Sequence, residues 1–95
     1  MLHTLFHSPA YSDIDTLSLL LSPDDDLLLL QDGVLAAIQG SRALEKLSAC
    51  GVKLWALQDD LSARGLSEQI SPIVQPVDYT FFVALTVKHR QQMAW

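Results

Sequence analysis

Apolar residues come in short clusters along this chain, separated by turn-forming residues, and the spacing inside each cluster predicts its conformation. Leu2 to Phe6 is a brief apolar run that includes His3 and Thr4 and stops at Ser8-Pro9, so it reads as a first strand. Ser12-Asp13 then opens a helix whose stripe is Ile14, Leu17, Leu20 and Leu21. Ser22-Pro23-Asp24-Asp25-Asp26 is turn chemistry and breaks it. Leu27 to Leu30 is too short for a helix and shows no alternation. Such a run fits a strand covered on both faces, the situation of a parallel sheet.

Asp32-Gly33 closes that strand, either as a tight turn with glycine at positive φ or as a ligand-binding corner. Val34 to Ile38 is a further apolar segment. Ser41 to Ala49 has helical spacing at Ala43, Leu44 and Leu47, with Gly51 placed as a C-cap glycine. Val52 to Leu57 reads as a third strand, and Asp59 to Ala63 as a short helix stopped by Gly65. Pro72 and Pro76 confine any strand in Ile70 to Val77 to a short or edge position. Asp78 is an N-cap for a last helix, Tyr79 to His89. This alternation predicts a single-domain α/β fold over residues 1–95, a mostly parallel sheet with helices on both faces. In such sheets function gathers at the carboxyl ends of strands, here Gln31-Asp32-Gly33 and Gln58-Asp59-Asp60.

Composition adds a partner to this picture. The chain has 95 residues, of which 49% are hydrophobic and 18% charged. That is more apolar material than one small core hides, and it points to burial against another chain. The apolar runs are far short of the roughly 20 residues of a membrane span, and the opening MLHTLFHSP lacks the basic region of a signal peptide. A soluble cytoplasmic protein is expected. A formal net charge of −5, with scattered basic residues, argues against direct nucleic-acid binding by this chain.

Candidate chemistry is thin. Cys50 is the one cysteine; it sits near a predicted helix C-terminus, whereas activated thiols favour helix N-termini and nearby cations. It reads first as a small packed residue and only second as a sulfur carrier. His3 and His7, on one strand, would stand about 13 Å apart, too far for one metal ion, so a partly buried His3 with surface histidines is expected. Asp24 to Asp26 read as a solvated loop leading into a strand, and Asp59-Asp60 as a helix start. No phosphate loop, dinucleotide fingerprint or HExxH occurs. No catalytic residue, cofactor or metal is expected. The terminal helix is apolar on most sides, and QQMAW ends on Met93 and Trp95. Asp32, Phe81, Phe82, Met93 and Trp95 are therefore the candidate interface residues.

The opening MLHTL, the corner LLLLQDGV, then ALQDDLSARGL, QIS, VDYTFFVALTVKH and the closing QMAW resemble the DsrH-like branch of the DsrE/DsrF/DsrH family. The resemblance spans nearly the whole chain. It implies a parallel sheet sandwiched by helices and a structural, non-catalytic place in a sulfur-relay complex. The implied partners are TusC-like and TusD-like subunits in a dimer of heterotrimers, with the sulfur-carrying cysteine on the TusD-like subunit. Persulfide sulfur would arrive by a TusA-like carrier and leave by a TusE-like one, for 2-thiolation of the tRNA wobble uridine. Relatives in sulfur oxidisers can carry a cysteine near the first helix; Ala10 to Leu21 here has none.

Overall fold

A computed structural model describes all residues, 1–95. Five strands form one sheet: β1 (Leu2–Leu5), β2 (Asp26–Leu29), β3 (Lys53–Leu57), β4 (Val74–Val77) and β5 (Gln92–Ala94). Four helices connect them: α1 (Ile14–Leu20), α2 (Arg42–Ser48), α3 (Gln58–Ala63) and α4 (Tyr79–Lys88). The strand order is β4-β3-β2-β1-β5, and every neighbouring pair is parallel. Parallel neighbours cannot be joined by a hairpin, so each step needs a crossover.

The order explains the layering. From β1 to β4 the chain steps outward along one side of the sheet, then returns past β1 to place β5 on its far edge. Right-handed crossovers taken in opposite directions put their helices on opposite faces. The upper face therefore carries α1, α2 and α3, while α4 lies on the lower face. Leu5, Leu27, Leu29, Leu54 and Ala56 point up into the main core with Ile14, Leu17, Leu47 and Leu61. Leu2, Leu28 and Leu30 point down and meet Val77 and Leu85, with Phe6, Trp55, Leu57, Phe81 and Phe82 packed around them. Burial on both faces is why Leu27–Leu30 shows no alternation.

Local chemistry sets the helix starts. Asp13, Ser41 and Asp78 accept from the backbone N–H groups of Thr16, Leu44 and Phe81. Gly51 takes φ 71° just beyond α2, where the C-cap glycine was expected.

Several expectations are corrected. The predicted stripe residue Leu20 is 51% exposed, because the last turn of α1 rotates it off the core while Leu21 stays buried. The apolar segment after β2 is a 3-10 helix, Gln31–Ala37. Gly33 does not supply a positive φ; Gln31 does, at 51°. Glycine is needed at 33 for space, since a Cβ there would stand 1.9 Å from the Leu5 carbonyl oxygen. The tail is a fifth strand, β5, too short to announce itself by pattern.

Candidate functional site

α4 presents an apolar surface that the fold leaves uncovered. Its inner side, Phe81, Phe82 and Leu85, packs on the lower face of the sheet. Phe81 lies 4.6 Å, centroid to centroid, from Trp55, and Phe82 meets the edge of Tyr79 at 5.7 Å. Leu85 is the one fully buried residue of the helix. Tyr79, Val83 and Val87 stand outward, 63%, 45% and 81% exposed. They recur every fourth residue and so form one stripe, and no charged residue lies between Asp78 and Lys88. Val87 was not singled out from the sequence; the four-residue spacing from Tyr79 was its available signal.

The C-terminal end of α4 is fixed by a buried carboxylate. Asp26, at the start of β2, is wholly buried and points down. It accepts from Trp55 Nε1 at 2.8 Å and Lys88 Nζ at 2.9 Å, and meets His89 Nε2 at 2.6 Å. Burial pushes this carboxyl up, but the His89, Trp55 and Lys88 donors outweigh burial and hold it at about 2.

Its neighbour Asp25 points away from Asp26 and is also buried. It accepts from the Met1 ammonium at 2.8 Å and the Ser22 N–H at 3.0 Å, and meets His3 Nε2 at 3.3 Å. Against the upward push of burial, the Met1 ammonium and the Ser22 N–H lower its pKa. His3 is only 1% exposed, and its Nδ1 accepts from Trp95 Nε1 at 3.1 Å. Burial lowers its pKa more than Asp25 raises it. Two sequence expectations fall here. Asp25 and Asp26 are not solvated, because His3, His89, Trp55 and Lys88 come from distant parts of the chain to pair with them. His3 is fully rather than partly buried. No pairwise signal in the sequence foretells these contacts.

The strand-end corner is closed on itself. The Gln31 N–H donates to Asp60 Oδ2 at 2.7 Å, and Arg64 donates to Asp32 Oδ1 through Nε and Nη2 at 3.1 and 2.9 Å. Arg64 Nη1 also donates to the Asp60 carbonyl at 3.2 Å. The two strand ends thus meet through one guanidinium, and Asp32 itself stays exposed.

Cys50 is half-buried against the main core. Its Sγ lies 3.3 Å from the Ser18 carbonyl and 3.4 Å from that of Lys46, partners for an S–H group. The Lys46 ammonium is paired with Asp15. His7 is exposed and bonds the Trp95 carbonyl through Nδ1 at 3.1 Å. No three His, Cys, Asp or Glu side chains converge as a metal site would require. An open depression of about 460 Å³ lies between the start of α1 and α2, lined by residues including Asp13, Asp15, Arg42 and Lys46. Met93 is 39% exposed on β5, and Trp95 is half-buried. No helix is long and apolar enough to cross a membrane.

Known proteins place this architecture. Two solved structures share the fold: the YchN protein of Escherichia coli and protein Tm0979 of Thermotoga maritima. YchN has TM-score 0.79 at 17% identity, covering 99% of this chain and 97% of its own. Tm0979 has TM-score 0.67 at 24% identity, covering 96% and 97%. Among sequence relatives, the Protein TusB chains of Escherichia coli strain SE11 and Shigella boydii serotype 18 are each 58% identical over 95 residues, covering all of both chains. The family described as DsrH like protein matches residues 7–92. With that match over most of its length and full-length relatives at this identity, the chain belongs to the DsrH family.

Proposed function

We propose that this chain is a non-catalytic, cytoplasmic subunit of a sulfur-relay complex and that the outer face of α4 docks a partner subunit. The partners are TusC-like and TusD-like subunits, in a dimer of heterotrimers. The complex takes persulfide sulfur from a TusA-like carrier and hands it to a TusE-like one for 2-thiolation of the tRNA wobble uridine. Kinship with the TusB proteins supports the relay assignment. The observation that carries the docking role is the stripe Tyr79, Val83 and Val87 on a helix with no charge between Asp78 and Lys88. An apolar helix with one face on a sheet and the other in water is the expected form of an unfilled interface. Phe81 and Phe82 brace the stripe from beneath; Met93, Trp95 and Asp32 remain candidate partner contacts outside the stripe, at the β5 edge and the β2 strand end. Sulfur transfer needs an exposed thiolate, and the packed Cys50 favours placing that role on the TusD-like partner.

Native mass spectrometry of the chain co-expressed with its partner subunits tests this, with Val87→Glu as the probe. Val87 is solvent-facing, so the substitution leaves folding within about 0.5 kcal/mol of wild type. The wild type is expected as an assembly with two other small subunits in two copies each, and Val87→Glu as a folded free chain. An intact assembly in Val87→Glu removes α4 from the interface. A wild-type chain that never assembles overturns the subunit reading.

A further inference from the structure

All three histidines of the chain hold its final segment, and they do so with different chemistry. His89 Nε2 faces the Asp26 carboxylate and His7 Nδ1 faces the Trp95 carbonyl. Both partners are acceptors, so each ring nitrogen donates, and adding a proton to the ring leaves either bond in place. His3 differs. Its Nε2 faces the Asp25 carboxylate, which also accepts from the Met1 ammonium and the Ser22 N–H and so fixes the ring proton on Nε2. Its Nδ1 must then be bare, and it accepts from the Trp95 indole N–H, a group that can only donate.

We propose that His3 is a proton-operated latch on β5: protonation of Nδ1 sets two donors face to face, breaks the Trp95 bond and frees the last strand from β1. The proton comes from solvent and stays on the ring, and no other bond is made. β5 is suited to release. It is a three-residue edge strand, exposed throughout. Its other ties are backbone bonds, among them Leu2 N–H to Gln91 carbonyl at 3.0 Å, Trp95 N–H to Thr4 carbonyl at 2.8 Å and Phe6 N–H to Trp95 carbonyl at 3.1 Å, together with the His7–Trp95 bond and the packing of Trp95 against the main core. The charged and titratable groups around the ring are Asp25 before β2, the Met1 ammonium ahead of β1, and His89 beyond α4; β5 brings none. Asp25 favours the added proton, while burial, the ammonium and His89 oppose it, so the latch stays shut at neutral pH. This inference stands apart from the relay assignment, since it concerns the isolated chain.

The test is NMR of the full ¹⁵N-labelled chain. At neutral pH the His3 ring is expected as the Nε2–H tautomer. On acidification, the Trp95 indole resonance and the amide protection of Phe6 and Trp95 should change together with the His3 ring. Protection should fall about tenfold, as for one buried hydrogen bond lost with its donor left unpaired. His3→Gln, which cannot titrate, should abolish that transition, whereas His7→Gln should keep it. An Nδ1–H tautomer overturns the proposal. So does β5 protection that stays flat while His3 titrates, or a transition that survives in His3→Gln. The tautomer and the wild-type titration decide the matter even if His3→Gln does not fold.

Discussion

A Cβ on Gly33 would lie 1.9 Å from the Leu5 carbonyl oxygen and 2.6 Å from its carbon, both backbone atoms. Neither can step aside without opening β1, so Gly33→Ala should cost about 3 kcal/mol, read as a lowered urea midpoint. The sequence marks this glycine as special but suggests the wrong reason. Asp26 is the converse case, invisible in the sequence and decisive in the fold. Its carboxyl is held at about 2 against an ordinary 3.8. The sign is that of a depressed acid: the contribution, about 2 kcal/mol, is complete above 3.8 and is lost as pH falls towards 2. Asp26→Asn leaves Lys88 and His89 without their charge partner and should destabilise by about 2–4 kcal/mol at neutral pH. It should also flatten that acid limb in a pH series of denaturation curves. His3 acts in a different window. Its folded value is lowered below 6.5, so the unfolded chain takes the proton first and stability declines as pH drops below 6.5.

α4 joins three signals that agree: the Asp78 cap, a charge-free apolar run, and a basic residue, Lys88, in its last turn. The cap is local chemistry and was legible from the sequence. Asp78→Ala removes the acceptor for the Phe81 N–H at 2.8 Å and should cost about 1 kcal/mol, visible as a lower melting temperature. The start and end of the helix were predictable; which side faces the sheet was not. Phe81 and Phe82 face it and Val83 and Val87 do not, because the register of α4 on the sheet is set by Asp26 gripping its far end. β5 and the 3-10 helix Gln31–Ala37 escaped prediction for a related reason. A three-residue strand has too few positions to show a period, and the 3-10 helix follows from Gln31 being turned to φ 51° beside Asp60.

The molecule is unequal in its two faces. Three helices and two 3-10 helices, Pro9–Tyr11 and Gln31–Ala37, close the upper side of the sheet, and α4 alone covers the lower, with Trp55, Leu57 and Phe6 only partly buried. That asymmetry leaves part of the chain's apolar excess in water on the lower side, at Tyr79, Val83 and Val87. It also separates the chain's one thiol, on the upper side, from the apolar stripe below. If sulfur passes through a partner, Cys50→Ser should leave tRNA 2-thiolation by the assembled complex undiminished; a drop of about tenfold or more, with assembly intact, would make Cys50 the carrier instead.

The sequence by itself determined the α/β class, four of the five strands, the helix start at Ser12-Asp13, the Asp78 cap and the family, because these rest on residues close together in the chain or on its whole pattern. Only the tertiary structure decided that Asp25 and Asp26 are buried anchors, that the Trp95 indole hydrogen-bonds His3, and that Tyr79, Val83 and Val87 are left in water. Those facts depend on which distant side chains meet once the chain crosses back beneath its own sheet to lay β5 beside β1.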